Sequence, residues 1–252
     1  ESQSKTHNPE FTILEWYRVN ADYTDIMRDC EELLMFINTY LQRTGEKPRT
    51  EIKPRQISYQ GKKIDLSPPW ERLTMVEAFK KYALIDLLKT LHRDQIEVVA
   101  KRKGYRTTKE NSWEQIFHQI FLNEVEPRLG RGKPTILYDY PASQAALARK
   151  KPRDKRFAER FEFYIEGLEL GDAYSELTDT SEQRERFMAE TAERKRLGKI
   201  EHPIDMDLIE ALKIGMPPAG GIAVGVDRLI MLFADVTNIA DTLFFPVQDL
   251  FD

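Results

Sequence analysis

Ala219-Gly-Gly-Ile-Ala-Val-Gly-Val-Asp-Arg228, running straight into Leu229-Ile-Met-Leu-Phe233, is the stretch that decides the fold. Glycines set among small and β-branched residues read as a strand whose surface something must approach closely, because side chains would block it. Asp227 and Arg228 then lead into an apolar segment with the character of a buried helix. A permanent cation at a strand-to-helix junction, beside a surface cleared by glycine, suits a flat anionic ligand such as a nucleotide. Taken alone, the same stretch is equally a buried strand with a structural Asp–Arg pair. The neighbouring segments separate the two readings.

Upstream, Phe11–Val19 is rich in β-formers and reads as a strand. Asp22 or Thr24 caps a helix expected to reach about Leu41, with Ile26, Cys30, Leu33, Leu34, Ile37 and Leu41 on one face. Gln60-Gly61 marks a hairpin between Arg55–Ser58 and Lys63–Leu66. Thr74 and Glu77 have capping-box spacing at the start of a helix to about Tyr82. From about 84 to 130 the pattern is helical, and it reads as an insertion whose His92, Trp113 and His118 serve packing or solvated faces. Thr135–Tyr140 reads as a strand, the basic run Lys150–Arg156 as a mobile loop, and Phe161–Leu170 as a strand turning near Gly171. Charged and short helices follow over Ser175–Leu197 and Asp205–Ile214. Strands in hairpin-like succession mixed with helices argue an α+β fold around an antiparallel β-sheet flanked by helices.

Composition narrows the function classes. At 252 residues the chain can bury a sizeable core. A net charge of −4 lacks the basic excess of a dedicated nucleic-acid binder. The single cysteine, Cys30, excludes an internal disulfide and a cysteine-based metal cluster, and makes a cytoplasmic location the expectation. No apolar run approaches membrane-spanning length, so no membrane partner is expected. The chain opens on Glu1 without an initiator methionine, which suggests part of a longer polypeptide.

Charge sits where core strands rarely carry it. Glu15 and Tyr17 share parity and point to one face with Phe11 and Ile13. Glu162, Glu169 and Glu176 recur every seven residues through Arg160-Phe-Glu-Phe-Tyr-Ile-Glu-Gly-Leu-Glu-Leu-Gly-Asp-Ala-Tyr-Ser-Glu176. Carboxylates gathered on a sheet face need partners, because buried like charges repel and desolvate at a cost of several kcal/mol. Mg²⁺ with a polyphosphate satisfies two of them, and a cationic substrate the others.

These residues carry a family resemblance. His7-Asn-Pro-Glu-Phe-Thr-Ile-Leu-Glu-Trp-Tyr17 resembles the latter half of motif 2 of the class II lysyl-tRNA synthetases, and Gly220–Leu229 resembles their motif 3. Pro141–Leu147 and His202–Pro217 look most like the elongation factor P–(R)-β-lysine ligase branch, truncated paralogues that aminoacylate a protein lysine. Ala223, where the synthetases usually carry glycine, points the same way. The resemblance implies a class II aminoacyl-tRNA synthetase catalytic core over residues 1–252. Motif 1 and the first half of motif 2, with the dimer interface they build, would lie in a missing N-terminal part.

It also implies roles. Phe11 and Arg228 would sandwich the adenine of ATP, Arg228 doubling as the catalytic cation, with Glu1 and His7 contacting ATP beside them. Glu162 and Glu169 would hold Mg²⁺, Glu169 also facing ATP. Glu15, Tyr17 and Glu176 would receive the amino groups of lysine or β-lysine, with Asp172, Tyr174 and Ala223 shaping the pocket. The expected reaction activates that amino acid as an adenylate and transfers it to a lysine of elongation factor P. The alternatives are a lysyl-tRNA synthetase core charging tRNA-Lys, or a non-catalytic nucleotide-binding paralogue. Three departures stand out. Asp172-Ala173-Tyr174 replaces the usual Asn-Gly-Phe; Ser175 resembles the synthetases, where the ligases tend to have histidine; and the arginine that precedes the position of Glu1 in the family falls outside the chain.

Overall fold

A computed structural model describes residues 4–44, 53–200 and 202–246. In chain order the structure begins with β1 (Ile13–Val19), α1 (Tyr23–Thr44), the hairpin β2 (Gln56–Tyr59) and β3 (Lys62–Asp65), and β4 (Glu71–Thr74). A helical stretch follows, with α2 (Met75–Ala78), α3 (Arg93–Arg102) and α4 (Trp113–Ile120). Then come β5 (Thr135–Pro141), β6 (Phe157–Ile165), β7 (Leu168–Ser175), α5 (Thr180–Arg196), α6 (Met206–Ile214), β8 (Ala219–Gly225) and α7 (Val226–Ala234).

Six strands form one sheet in the order β1-β8-β7-β6-β5-β4, with the glycine-rich β8 in its interior. The expected antiparallel sheet is mixed at one edge, because β4 and β5 pair in parallel. A parallel pair needs a long crossover, and the helices between Met75 and Arg128 supply it.

Local chemistry explains the boundaries. Asp22, rather than Thr24, caps α1, its Oδ1 accepting from the Thr24 amide at 2.8 Å. Thr74 and Glu77 close the capping box of α2, which continues as a π-turn over Phe79–Ala83. Gln60 and Gly61 both take positive φ, as a two-residue hairpin turn requires. The segment 161–176 departs from expectation. Its turn falls at Glu166-Gly167, with φ of 50° and 80°, and Gly171 lies inside β7. The Glu166 carboxylate fixes that turn by accepting from the Gly132 amide at 2.8 Å and pairing with Lys62 and Arg131. Gly171 is needed for another reason: a Cβ there would stand 2.7 Å from the Phe163 ring and 2.9 Å from the Ala223 carbonyl.

Two apolar cores flank the sheet. On one face α1 and the β2–β3 hairpin bury Ile26, Cys30, Leu34, Ile57 and Ile64 against Phe161, Phe163, Ile222 and Val224. On the other face, at the β5–β6 side, the helical stretch buries Phe79, Trp113, Phe117 and Phe121 with Leu137, Tyr140 and Tyr164. Toward β7, β8 and β1 this second face carries an open cleft. The basic run Lys150–Arg156, expected to be mobile, is pinned by pairs of Lys150 with Glu182 and Lys151 with Asp139. No helix among the described residues is long and apolar enough to cross a membrane.

Candidate active site

Register builds the site in rows. Glu15 pairs with Ala223, Ala223 with Asp172, and Asp172 with Glu162, so these four cross β1, β8, β7 and β6 in one line. The next line runs Tyr17, Gly221, Tyr174 and Arg160. Because side chains alternate along each strand, both rows project on the same face, opposite the core under α1. Glycine at 221 is what opens this surface. A Cβ there would overlap Glu176 Oε1 and lie 2.7 Å from Tyr17 Cε1.

One irregularity completes the face. Glu169 and Asp172 differ in parity and on a regular strand would point to opposite sides. The register shifts between the Phe163–Gly171 and Tyr164–Glu169 pairs. The extra residue, Leu170, turns into the core, and Glu169 joins Asp172 on the site face.

Six residues singled out in the sequence line one cleft: His7, Phe11, Glu169, Asp172, Ala223 and Arg228. Glu15, Tyr17, Tyr174 and Glu176 stand on the adjoining rows or next to them. Glu1 lies outside the described residues, and the basic run Lys150–Arg156 does not line the cleft. Arg228, in the first turn of α7, is held by its edges: Nε donates to Thr6 O at 3.1 Å, Nη1 to Glu169 O at 2.7 Å, and Nη2 lies 2.9 Å from His7 Nε2. In-plane bonds of this kind leave a guanidinium's flat faces for stacking. Phe11, half exposed, borders the same cleft.

Glu162 is buried at the boundary with the helical core. Its Oε2 accepts from the Tyr140 hydroxyl at 2.5 Å and from Tyr164, while Oε1 pairs with Arg160 Nη2 at 2.5 Å. Oε1 keeps one acceptor position beside Arg160, so a metal there would share that oxygen with the guanidinium. Burial pushes the Glu162 carboxyl up from its ordinary value despite Arg160. Burial also pushes Glu169 up to about 8, with the Glu162 charge adding to the rise and Arg228 opposing it. Glu176 rises to about 7, through burial and then the charge of Asp172. The face gathers more carboxyls than it has cations to hold them ionised. Its chemistry calls for a cationic guest.

Sequence reasoning assigned no role to three contributors. Arg160 pairs with both Asp172 and Glu162 and lies over the Tyr140 ring at 4.4 Å. Its even spacing from Glu162 was the available signal. Asn8, which lines the cleft, is buried with Oδ1 lacking a hydrogen-bond partner among the described residues. Asp227 accepts from the Thr12 amide at 2.7 Å, tying the entry of β1 to α7.

Comparison with known proteins adds a lineage to this geometry. Residues 1–249 match the family described as tRNA synthetases class II (D, K and N). The chain is 39% identical over 250 residues to the lysine–tRNA ligase of Pelotomaculum thermopropionicum, covering 98% of this chain and 47% of that protein. It is 39% identical over 248 residues to the enzyme of that name from Moorella thermoacetica, covering 98% and 48%. For the lysine–tRNA ligase of Listeria monocytogenes the identity is 37% over 248 residues, covering 98% and 47%. The chain spans about half the length of these curated relatives.

Proposed function

The chain belongs to the class II tRNA synthetases of the D, K and N group, and from that premise we propose that it activates lysine, or its β-isomer, as an aminoacyl-adenylate at the expense of ATP, for transfer to a lysine tRNA. The observation that carries the substrate reading is the pair of rows, in which Tyr17 and Glu176 meet over Gly221 while Glu15 and Asp172 flank Ala223 in the neighbouring row. Fixed anions and a phenol on a partly dry floor match a substrate bearing two ammonium groups. Residues 1–252 serve as the catalytic domain, with the helical stretch at about 84–130 as its insertion.

The residues present fit ATP. The faces of Arg228 and the exposed Phe11 suit a purine between them, and the unpaired Asn8 Oδ1 suits a purine amino group. The substrate carboxylate attacks the α-phosphate, the bond to pyrophosphate breaks, and no covalent enzyme intermediate forms. The chain's work is to align the two reactants, with Arg228 holding the base and adding positive charge to the cleft. Mg²⁺ supplies charge neutralisation at the phosphates. Glu169, crowded by Glu162, is its natural carboxylate here. No cluster of three or more His, Cys, Asp or Glu side chains suited to a metal occurs among the described residues. That suits an ion that takes one or two carboxylates and fills its shell with phosphate and water.

The acceptor favoured on sequence alone, a lysine of elongation factor P, stands second. The relatives' shared name supports tRNA, while Ala223, central in its row between Glu15 and Asp172, keeps the β-lysine reading in play. A dimer is part of either reading. Pyrophosphate exchange by the intact protein tests the core of the proposal. Exchange should respond to lysine or β-lysine and stay at background with leucine or glutamate; equal response to neutral amino acids sinks the pocket assignment, and silence with all of them leaves a non-catalytic paralogue. Radiolabelled lysine should then appear on tRNA. Label on elongation factor P without tRNA would move the second acceptor to first place.

A further inference from the structure

A second cavity adjoins the nucleotide cleft and shares one residue with it. It has a volume of about 390 Å³, and Lys5, Gln60, Lys62, Arg131 and Glu166 line it, with Thr6 common to both cavities. These residues come from segments far apart in the chain: the lead-in to β1, the β2–β3 hairpin, the entry to β5 and the β6–β7 turn.

Glu166 is the strut of this cavity. Its side chain is only 4% exposed, and Oε2 accepts from Lys62 Nζ at 2.8 Å and from Arg131 Nη1 at 2.9 Å. Oε1 accepts from the Gly132 amide at 2.8 Å. One buried carboxylate thus draws two cations from distant segments to the same place. Both keep N–H donors to spare. Lys62 uses one of its three on Glu166, while Arg131 uses one of five there and two on Pro127 O. Lys5 adds a third cation, whose ammonium has no carboxylate partner among the described residues. Asp235 stands behind the hairpin turn, accepting from the Gln60 amide. With it counted, three cations still face two carboxylates.

We propose that this cavity binds a free polyphosphate anion, pyrophosphate or a short phosphate chain, at a site separate from the nucleotide cleft. The proposal goes beyond the activation reading and does not rest on it. Cations gathered on one cavity repel one another, and an anion between them turns that repulsion into attraction. A single phosphate meets one or two of them, whereas linked phosphates reach cations on several walls. Ammonium and guanidinium donors of this kind form short, charge-assisted bonds to phosphate oxygens. A nucleic acid would instead call for a basic stripe along the surface, and the chain's net charge is −4. The shared wall places the bound anion one residue from a carbonyl that orients the cleft, since Arg228 Nε donates to Thr6 O at 3.1 Å.

Titration calorimetry with sodium tripolyphosphate, in the absence of Mg²⁺, reads the site in the intact protein. The unaltered protein should bind, and Lys5→Gln combined with Lys62→Gln should weaken binding about tenfold or more. Glu166→Gln removes the opposing charge and should tighten binding by about three- to tenfold, a gain that damage to the turn would not produce. Lys89→Gln, at a lysine 82% exposed and outside the cavity, controls for overall charge and should leave the affinity unchanged. If the double variant does not fold, Lys5→Gln alone should cost about threefold, because its ammonium holds no ion pair. ATP affinity, measured on the same variants, should stay as in the parent. No binding by the unaltered protein, or an affinity indifferent to Lys5, Lys62 and Glu166, overturns the site. Equal loss in Lys89→Gln reduces it to general attraction and overturns it too. ATP affinity that falls in parallel with that for tripolyphosphate assigns the cavity to the nucleotide cleft and overturns its separate role.

Discussion

The two faces of β1, β8, β7 and β6 are built from the same backbone and do opposite things. Beneath α1, alternate residues Phe161, Phe163, Ala173, Ile222 and Val224 are buried together, and their removal from water supplies stability. One residue along in each strand, Arg160, Glu162, Asp172, Glu15 and Tyr17 gather charge and phenol. That arrangement pushes the Glu162, Glu169 and Glu176 carboxyls above their ordinary values, burial being the first cause. The lesson is a division of labour at single-residue spacing: the core face holds the sheet rigid, and rigidity is what lets the other face keep like charges close.

Truncating the core face should give the largest effect. Phe163→Ala removes a fully buried ring packed 5.7 Å from that of Trp70, and should destabilise the fold by ~3–5 kcal/mol in urea melts. A loss below about 1 kcal/mol would mean the sheet is held mainly by other contacts. On the opposite face, Glu176→Gln should weaken lysine-dependent pyrophosphate exchange by ~2–5 kcal/mol while the urea midpoint holds or rises. A change of tenfold or less, about 1.4 kcal/mol, would place Glu176 at a solvated rim.

Ala223→Gly probes the middle of the row. It should shift preference toward α-lysine over β-lysine by about 1–3 kcal/mol, on the order of tenfold. An unchanged ratio in exchange assays removes Ala223 from the specificity determinants. The effect of Glu169→Gln grows with pH, from nothing in acid. The folded carboxyl titrates near 8, above its ordinary value of 4.5. Between those values the native state binds more protons than the unfolded one, so stability falls as pH rises through that window. Above it the native state bears the full cost of the charge. The glutamine variant should therefore match the parent at pH 4 and melt higher at pH 9, by about 2–4 °C for each kcal/mol relieved. Scanning calorimetry with and without Mg²⁺ reads this directly. Metal should raise the parent's melting temperature at pH 9 and leave the variant's unchanged if Glu169 is the ligand.

Period and composition placed many of the strands and helices, though not β4 or the division of Phe161–Leu170 between β6 and β7, because the β-formers of Ile13–Val19, the Thr74–Glu77 spacing and the Gln60-Gly61 pair are local signals with local causes. His7, Phe11 and Arg228, which line the cleft, were singled out through the family resemblance of the short runs they sit in. What the chain order could not disclose was set by pairing between distant segments. The parallel β4–β5 edge depends on where the crossover helices dock. The turn at Glu166 is held by Gly132, Lys62 and Arg131. The Leu170 bulge sends Glu169 to the site face against its parity. Arg160 acquires its meaning only when β6 and β7 align it with Asp172, Glu162 and the Tyr140 ring. A residue's type and period are properties of its own neighbourhood, whereas register, burial and the company a charge keeps are properties of the assembled sheet.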